Sequence, residues 1–151
     1  ETSVAWLKQQ AVSDPAGRLA AASYSPLQAL LLDKGEHAAH YEQFIQQIGH
    51  PNQLDPLSLA AALQQTSLSA VVNWLQKWCY DLVSYRTTGK IRYYLNQSTP
   101  IKALSGQIDL LECITFARAL NTKQQLSHHP LNPRLFLEEL FIGYATMMRK
   151  K

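Results

Sequence analysis

Charge is sparse in this chain: Asp, Glu, Lys and Arg together make up 17 % of its 151 residues. Glycine is scarce too, with six in all, and none sits in a GxGxxG turn or a Gly-rich loop that would cradle phosphate. There is no HExxH. The nearest metal-like spacing is Glu36-His37-x-x-His40, which offers two imidazoles where zinc needs three or four converging ligands. His128 and His129 stand beside Pro130 with no cysteine or carboxylate close in sequence. The adjacent pair Glu138-Glu139 projects in two directions on a helix, poor geometry for a paired acid and base. Only two cysteines occur, Cys79 and Cys113, both inside apolar helical patterns, so two reduced core thiols are expected and not a disulfide framework. No apolar run approaches the roughly 20 residues that span a bilayer. These gaps exclude the common enzyme signatures, and the expectation is a non-catalytic chain with no cofactor, no metal, no small-molecule substrate and no membrane partner.

What is present is helical patterning. Sustained period-2 alternation is missing, as are Asn-Gly and Asp-Gly hairpin signals. Five prolines follow a residue able to cap a helix: Asp14-Pro15, Ser25-Pro26, Asp55-Pro56, Thr99-Pro100 and Asn132-Pro133. Proline at the first helical position gives up an N–H that had no partner, while the preceding side chain caps another. The spacing predicts helices over Ser3–Gln10, Pro15–Ser23, Pro26–Lys34 (with Gly35 as C-cap), Glu36–Ile48, Pro56–Gln65 and Ser67–Tyr85. A loop over Arg86–Thr99 and a short turn at Pro100–Leu104 follow, then helices over Gln107–Gln125 and Pro133–Met148. The fold class expected is all-α, a helical bundle.

The central stretch is Leu68–Tyr94. Leu68, Val71, Val72, Leu75, Trp78, Cys79 and Leu82 repeat along one helical face, with Asn73, Gln76, Lys77, Asp81 and Ser84 opposite. Trp74 is expected beside this stripe. The last helix is apolar nearly all round, from Leu135 and Phe136 to Met147 and Met148, so it must be covered on more than one side, by the bundle or by another subunit. Asn132 is expected to cap it, with Arg134 and Glu138 paired at i, i+4.

The net charge of +3 conceals an asymmetry: residues 1–85 carry four lysines and arginines against seven acids, residues 86–151 ten against four. The second half therefore favours an acidic partner or nucleic acid. Its best nucleic-acid candidate is the basic-aromatic segment Arg86, Lys90, Arg92, Tyr93 and Tyr94, since cations hold phosphates and tyrosines offer stacking faces.

Two stretches resemble the clamp-loader family of bacterial DNA polymerase III. VVNWLQKWCYDLVSYRTTGKIRYY is similar to the C-terminal part of the delta prime subunit, with its WLxKWCYDL core before a basic-aromatic tail. LNPRLFLEELF resembles a pattern near the end of the helical collar domains, carried here by Asn132, Arg134, Leu135, Leu137, Glu138 and Leu140. SVAWLKQQ and LAAASYSPLQALLL resemble the lid of the AAA+ module. In that family a Gly-Ser-Pro-Gly turn leads into the following helix. Here Tyr24-Ser25-Pro26-Leu27 keeps the Ser-Pro and loses both glycines, and no nucleotide-sensing residue follows, since Leu27, Gln28 and Ala29 stand there.

The resemblance implies residues 1–35 as a remnant of the AAA+ lid and residues 36–151 as a collar domain. Such a domain packs in a heteromeric ring with the gamma/tau and delta subunits, in the bacterial cytosol at the replisome, and the ring loads the sliding clamp on primed DNA. The opening in mid-pattern implies a piece of a longer protein. The subunit-interface residues expected are Trp74, Trp78, Asn132, Arg134, Leu135 and Glu138. DNA contact, indirect or weak, would fall to Arg86, Lys90, Arg92, Tyr93 and Tyr94. The rival readings are the matching region of gamma/tau and a free-standing helical nucleic-acid module.

Overall fold

The computed structural model describes residues 2–10, 20, 38–127 and 132–149. Among them the chain is all-α, with no strand. Of the helices expected over Pro15–Ser23 and Pro26–Lys34, only Ala20 is described, helical and buried; the rest of both, the caps Asp14 and Ser25, Gly35, and the pair His128 and His129 lie outside the described residues.

Helix α1 spans Thr2–Gln9. Helix α2 spans Ala38–Ile48 and leads through a 3-10 turn, Pro51–Gln53, to α3, Pro56–Leu63. The Asp55 side chain accepts the Ser58 amide at 3.2 Å, so the Asp-Pro start forms as its chemistry requires. Helix α4 runs Leu68–Thr88, capped by Ser67, whose hydroxyl accepts from the Ala70 amide. It continues three residues past the expected end at Tyr85. The Thr87 and Thr88 hydroxyls bond back to carbonyls of the preceding turn, and the chain turns only at Gly89. There φ is +74°, a left-handed cap that glycine adopts without strain, and the Gly89 amide closes on the Tyr85 carbonyl at 2.9 Å.

Helix α5 is longer than the expected turn, Ser98–Ser105. It starts before Thr99, so Thr99 is not its cap; Pro100 falls inside the first turn, where a missing N–H costs nothing. Helix α6, Leu110–Leu126, begins later than Gln107 because Asp109 takes the cap position and accepts the Glu112 amide at 3.0 Å. Helix α7 is Pro133–Arg149, capped by Asn132, whose Oδ1 accepts the Leu135 amide at 3.1 Å.

Helix α4 is the centre of the bundle, packed on α5 and α6, while α7 lies along α3 and also touches α6. Trp78 is fully buried, and its indole N–H donates to the Tyr144 hydroxyl at 3.0 Å. The Tyr144 hydroxyl in turn donates to the Ile48 carbonyl at 2.8 Å, joining α4, α7 and the end of α2 in one hydrogen-bonded chain. Trp74 does not lie beside the stripe as expected. It is 6 % exposed, edge-on to Tyr41 at 5.1 Å and tilted against Phe44 at 5.6 Å. Helix α7 buries Leu137, Leu140, Phe141 and Tyr144 but leaves Leu135 and Ile142 about half exposed.

Asp81 departs furthest from its expected place. Assigned to the polar face, it is wholly buried. Its carboxylate accepts the amides of Arg92 (2.9 Å), Tyr93 (3.2 and 3.1 Å) and Tyr94 (2.8 Å), folding the chain after Gly89 back onto α4. Burial pushes its carboxyl above the ordinary value; the amides of Tyr94, Arg92 and Tyr93, then the Arg92 charge, pull part of the way back. Asp81→Ala removes the acceptor of three consecutive amides. It is expected to destabilise the fold by about 3 kcal/mol in urea unfolding, since each unsatisfied interior donor costs ~1–3 kcal/mol. Asp81→Asn, which keeps one acceptor oxygen, is expected to lose less.

Candidate subunit-contact and nucleic-acid surfaces

The start of α7 combines an ordered cap with an apolar surface. Arg134 Nε meets Glu138 Oε2 at 3.1 Å, the expected i, i+4 pair, with Arg134 about half exposed. Between them Leu135 is 51 % exposed, and two turns on Ile142 is 47 % exposed. Lys123 of α6 reaches Glu139 at 3.4 Å and lies over the Phe136 ring, so α6 and α7 are bridged beside this surface. Asn132, Arg134, Leu135 and Glu138 thus share one accessible helix start. Trp74 and Trp78 do not join them, because both are core side chains.

The basic-aromatic segment is divided in the same way. Arg86 Nη1 donates to the carbonyls of Ser105 (2.9 Å) and Ile108 (2.8 Å), so this guanidinium satisfies the free carbonyls where α5 ends. Tyr94 is 1 % exposed, its hydroxyl donates to the Trp74 carbonyl at 2.6 Å, and its ring meets Trp78 edge-on at 5.3 Å. Burial pushes its phenol well above the ordinary value. Of the five residues expected to meet nucleic acid, these two are committed to the fold. Lys90 and Arg92 are exposed and Tyr93 is half-buried. The Ser84 hydroxyl holds the Lys90 carbonyl at 2.9 Å.

Tyr93 gathers a cluster that spacing alone did not reveal. Arg92 stands 5.3 Å and Lys77 5.7 Å from its ring centre, and Tyr80 meets it edge-on at 5.5 Å. Lys77 sits one helical turn from Tyr80 on α4, yet Tyr93 and Arg92 come to it only through the Asp81 fold-back, which no local pattern announces. Tyr80, 49 % exposed, stands at the lip of a groove of about 310 Å³ between α4 and α6. Cys79, Val83, Ile114 and Ala117 line its floor, with Gln76, Arg118 and Asn121 around it. Cys79 and Cys113 are both buried and unbridged; the hydrogen bond they share, and then burial, push the Cys79 thiol well up, so it is not poised as a nucleophile. Among the described residues no cluster of three or more His, Cys, Asp or Glu is placed to hold a metal ion, and no helix is long and apolar enough to cross a membrane.

Burial pushes the Lys77 ammonium down from its ordinary 10.5 to about 8. The unfolded chain therefore binds this proton more tightly, and Lys77 makes stability rise with pH across the window from about 8 to 10.5. An NMR titration of the lysine Cε resonances is expected to show Lys77 turning near pH 8. Lys77→Met is expected to be more stable than the parent at pH 7, the gap closing above pH 10.

Residues 35–145 match the family described as DNA polymerase III, delta subunit, C terminal. No curated protein and no solved structure matches the chain. The match does not separate delta from delta prime. It covers most of the chain, including the caps, the α4 core and the α7 surface described above, and on that basis the chain belongs to the C-terminal family of the DNA polymerase III clamp loader.

Proposed function

We propose that this chain is the collar part of a clamp-loader delta prime subunit, acting by scaffolding and without catalysis or cofactor. Residues 36–151 form the oligomerisation domain and residues 1–35 the remnant of an AAA+ lid. In the bacterial cytosol it packs against gamma/tau and delta in a ring and fixes the position of the nucleotide-binding domains that open the sliding clamp. The family match over residues 35–145 carries the clamp-loader part of this reading. The accessible start of α7 supports it further. Leu135 and Ile142 are large apolar side chains left half exposed on a helix whose other face fills the core, beside the Arg134–Glu138 pair. Apolar surface with a charged rim is the usual anatomy of a protein contact. The choice of delta prime over gamma/tau rests on the sequence: the lid turn lacks its glycines and its sensor residue.

A direct DNA role is the weaker part of the proposal. Arg86 and Tyr94 are spent on carbonyls within the fold, which leaves Lys90, Arg92 and Tyr93 for at most an indirect or weak contact.

Native mass spectrometry of this chain mixed with gamma/tau and delta from one source is expected to show one copy per assembly. Leu135→Asp and Arg134→Glu alter exposed positions and are expected to leave helicity unchanged while weakening incorporation by about tenfold or more. A chain that stays monomeric in the mixture would sink the assembly reading.

A further inference from the structure

We propose that the groove between α4 and α6 is a docking site for an acidic amphipathic helix supplied by another protein chain. This inference goes beyond ring assembly and uses a different surface from the start of α7. The floor, built by Cys79, Val83, Ile114 and Ala117, is apolar. It runs from Gln76 to Val83 along α4, about two helical turns or ~10 Å. That length matches the i, i+4, i+7 side chains of a helix laid along a groove. The Gln76 amide bridges to Asn121 at 3.1 Å across one end, giving the apolar track a polar stop.

Charge selects the occupant. Arg118 is exposed on the α6 lip. On the α4 lip Tyr80 leads to Tyr93, which has Lys77 and Arg92 against its ring. No carboxylate lines the groove. Asp81, the acid on this stretch of α4, is turned inward onto the amides of residues 92–94. The second groove on α6, of about 350 Å³ against α7, differs in having Glu112 at its lip and no cation in its lining. An apolar track with Arg118 at one lip, and with Lys77 and Arg92 grouped behind Tyr80 at the other, complements a helix with an apolar stripe flanked by carboxylates.

Nucleic acid satisfies the same cations but not the rest of the surface. Bases need open aromatic faces. Tyr93 already carries two cations against its ring, and Tyr80 is set edge-on to it, with interplanar angle 70°. Aliphatic side chains at the floor offer a base neither stacking nor hydrogen bonds.

The test uses this chain and three fluorescein-labelled probes. The first is a synthetic Ala-rich helix of about 18 residues with leucines at i, i+4 and i+7 and glutamates only at the positions flanking that stripe. The second carries lysines in place of the glutamates, and the third is single-stranded oligothymidylate of about 18 nucleotides. Anisotropy is expected to show the glutamate helix binding, the lysine helix failing to bind, and oligothymidylate binding more weakly than the glutamate helix. Arg118→Glu, at an exposed position, is expected to keep the helicity of the parent and weaken the glutamate helix by about tenfold or more, ~1.4 kcal/mol. Methyl resonances of Val83 and Ile114 are expected to move on binding. Each of these results overturns the proposal: no binding of the glutamate helix, equal binding of both helices, indifference to Arg118→Glu, or shifts confined to Leu135 and Ile142. Tighter binding of oligothymidylate, displacing the glutamate helix, overturns it in favour of a nucleic-acid surface.

Discussion

The buried carboxylate of Asp81 is the constraint on which the rest of this bundle depends. A charge placed inside a helical core is costly unless its lone pairs are filled, and here three successive backbone amides fill them. The arrangement works in both directions. The amides of Arg92, Tyr93 and Tyr94 belong to no helix and would otherwise be poorly partnered as the chain crosses the bundle. Fixing them drives the Tyr94 ring between Trp78 and Tyr41, where its hydroxyl reaches the Trp74 carbonyl. One side chain thus sets the course of the connection and completes the aromatic core.

Arg86 reinforces the same corner from outside. It lies in the last turn of α4 and spans to the carbonyls of Ser105 and Ile108, so the α4 end, the α5 end and the approach to α6 are held by a single guanidinium. Both bonds leave from the one Nη1 group, whose two N–H bonds are fixed in the guanidinium plane. The surface consequence follows from this use of charge. The segment 86–94 carries three cations, but one of them is spent on architecture and another is drawn against the Tyr93 ring. A count of basic residues therefore overstates the phosphate-binding capacity of this region.

Much of the fold was legible in the sequence because its signals are local. Asp55 and Asn132 announce helix starts through one side chain and one proline, and both caps form as the chemistry requires. The stripe from Leu68 to Leu82 is buried throughout. Thr99-Pro100 misled because a proline is equally at home anywhere in the first helical turn, and the helix began at Ser98 instead. Asp81 was illegible for a deeper reason. At period 3.6 it falls outside the stripe, among the polar positions, and an acid there reads as solvated; only the return of residues 92–94 makes it a core residue. Trp74 reads as peripheral on a helical wheel for the same reason, since Tyr41 and Phe44, which cover it, belong to another helix.

The candidate surfaces divide along the same line. The start of α7 is sequence-local: cap, ion pair and exposed leucine lie within seven residues, and the motif that carries the family resemblance runs through them. The groove between α4 and α6 is not. Tyr80 and Arg118 are far apart in the chain and have no shared pattern; the antiparallel packing that pairs Gln76 with Asn121 is what brings them to facing lips. Helix α6 has weak amphipathicity because it is wetted on both flanks, leaving Cys113 and Leu120 as its buried anchors. Helix α6 is flanked by one groove with arginine at its lip and another with glutamate.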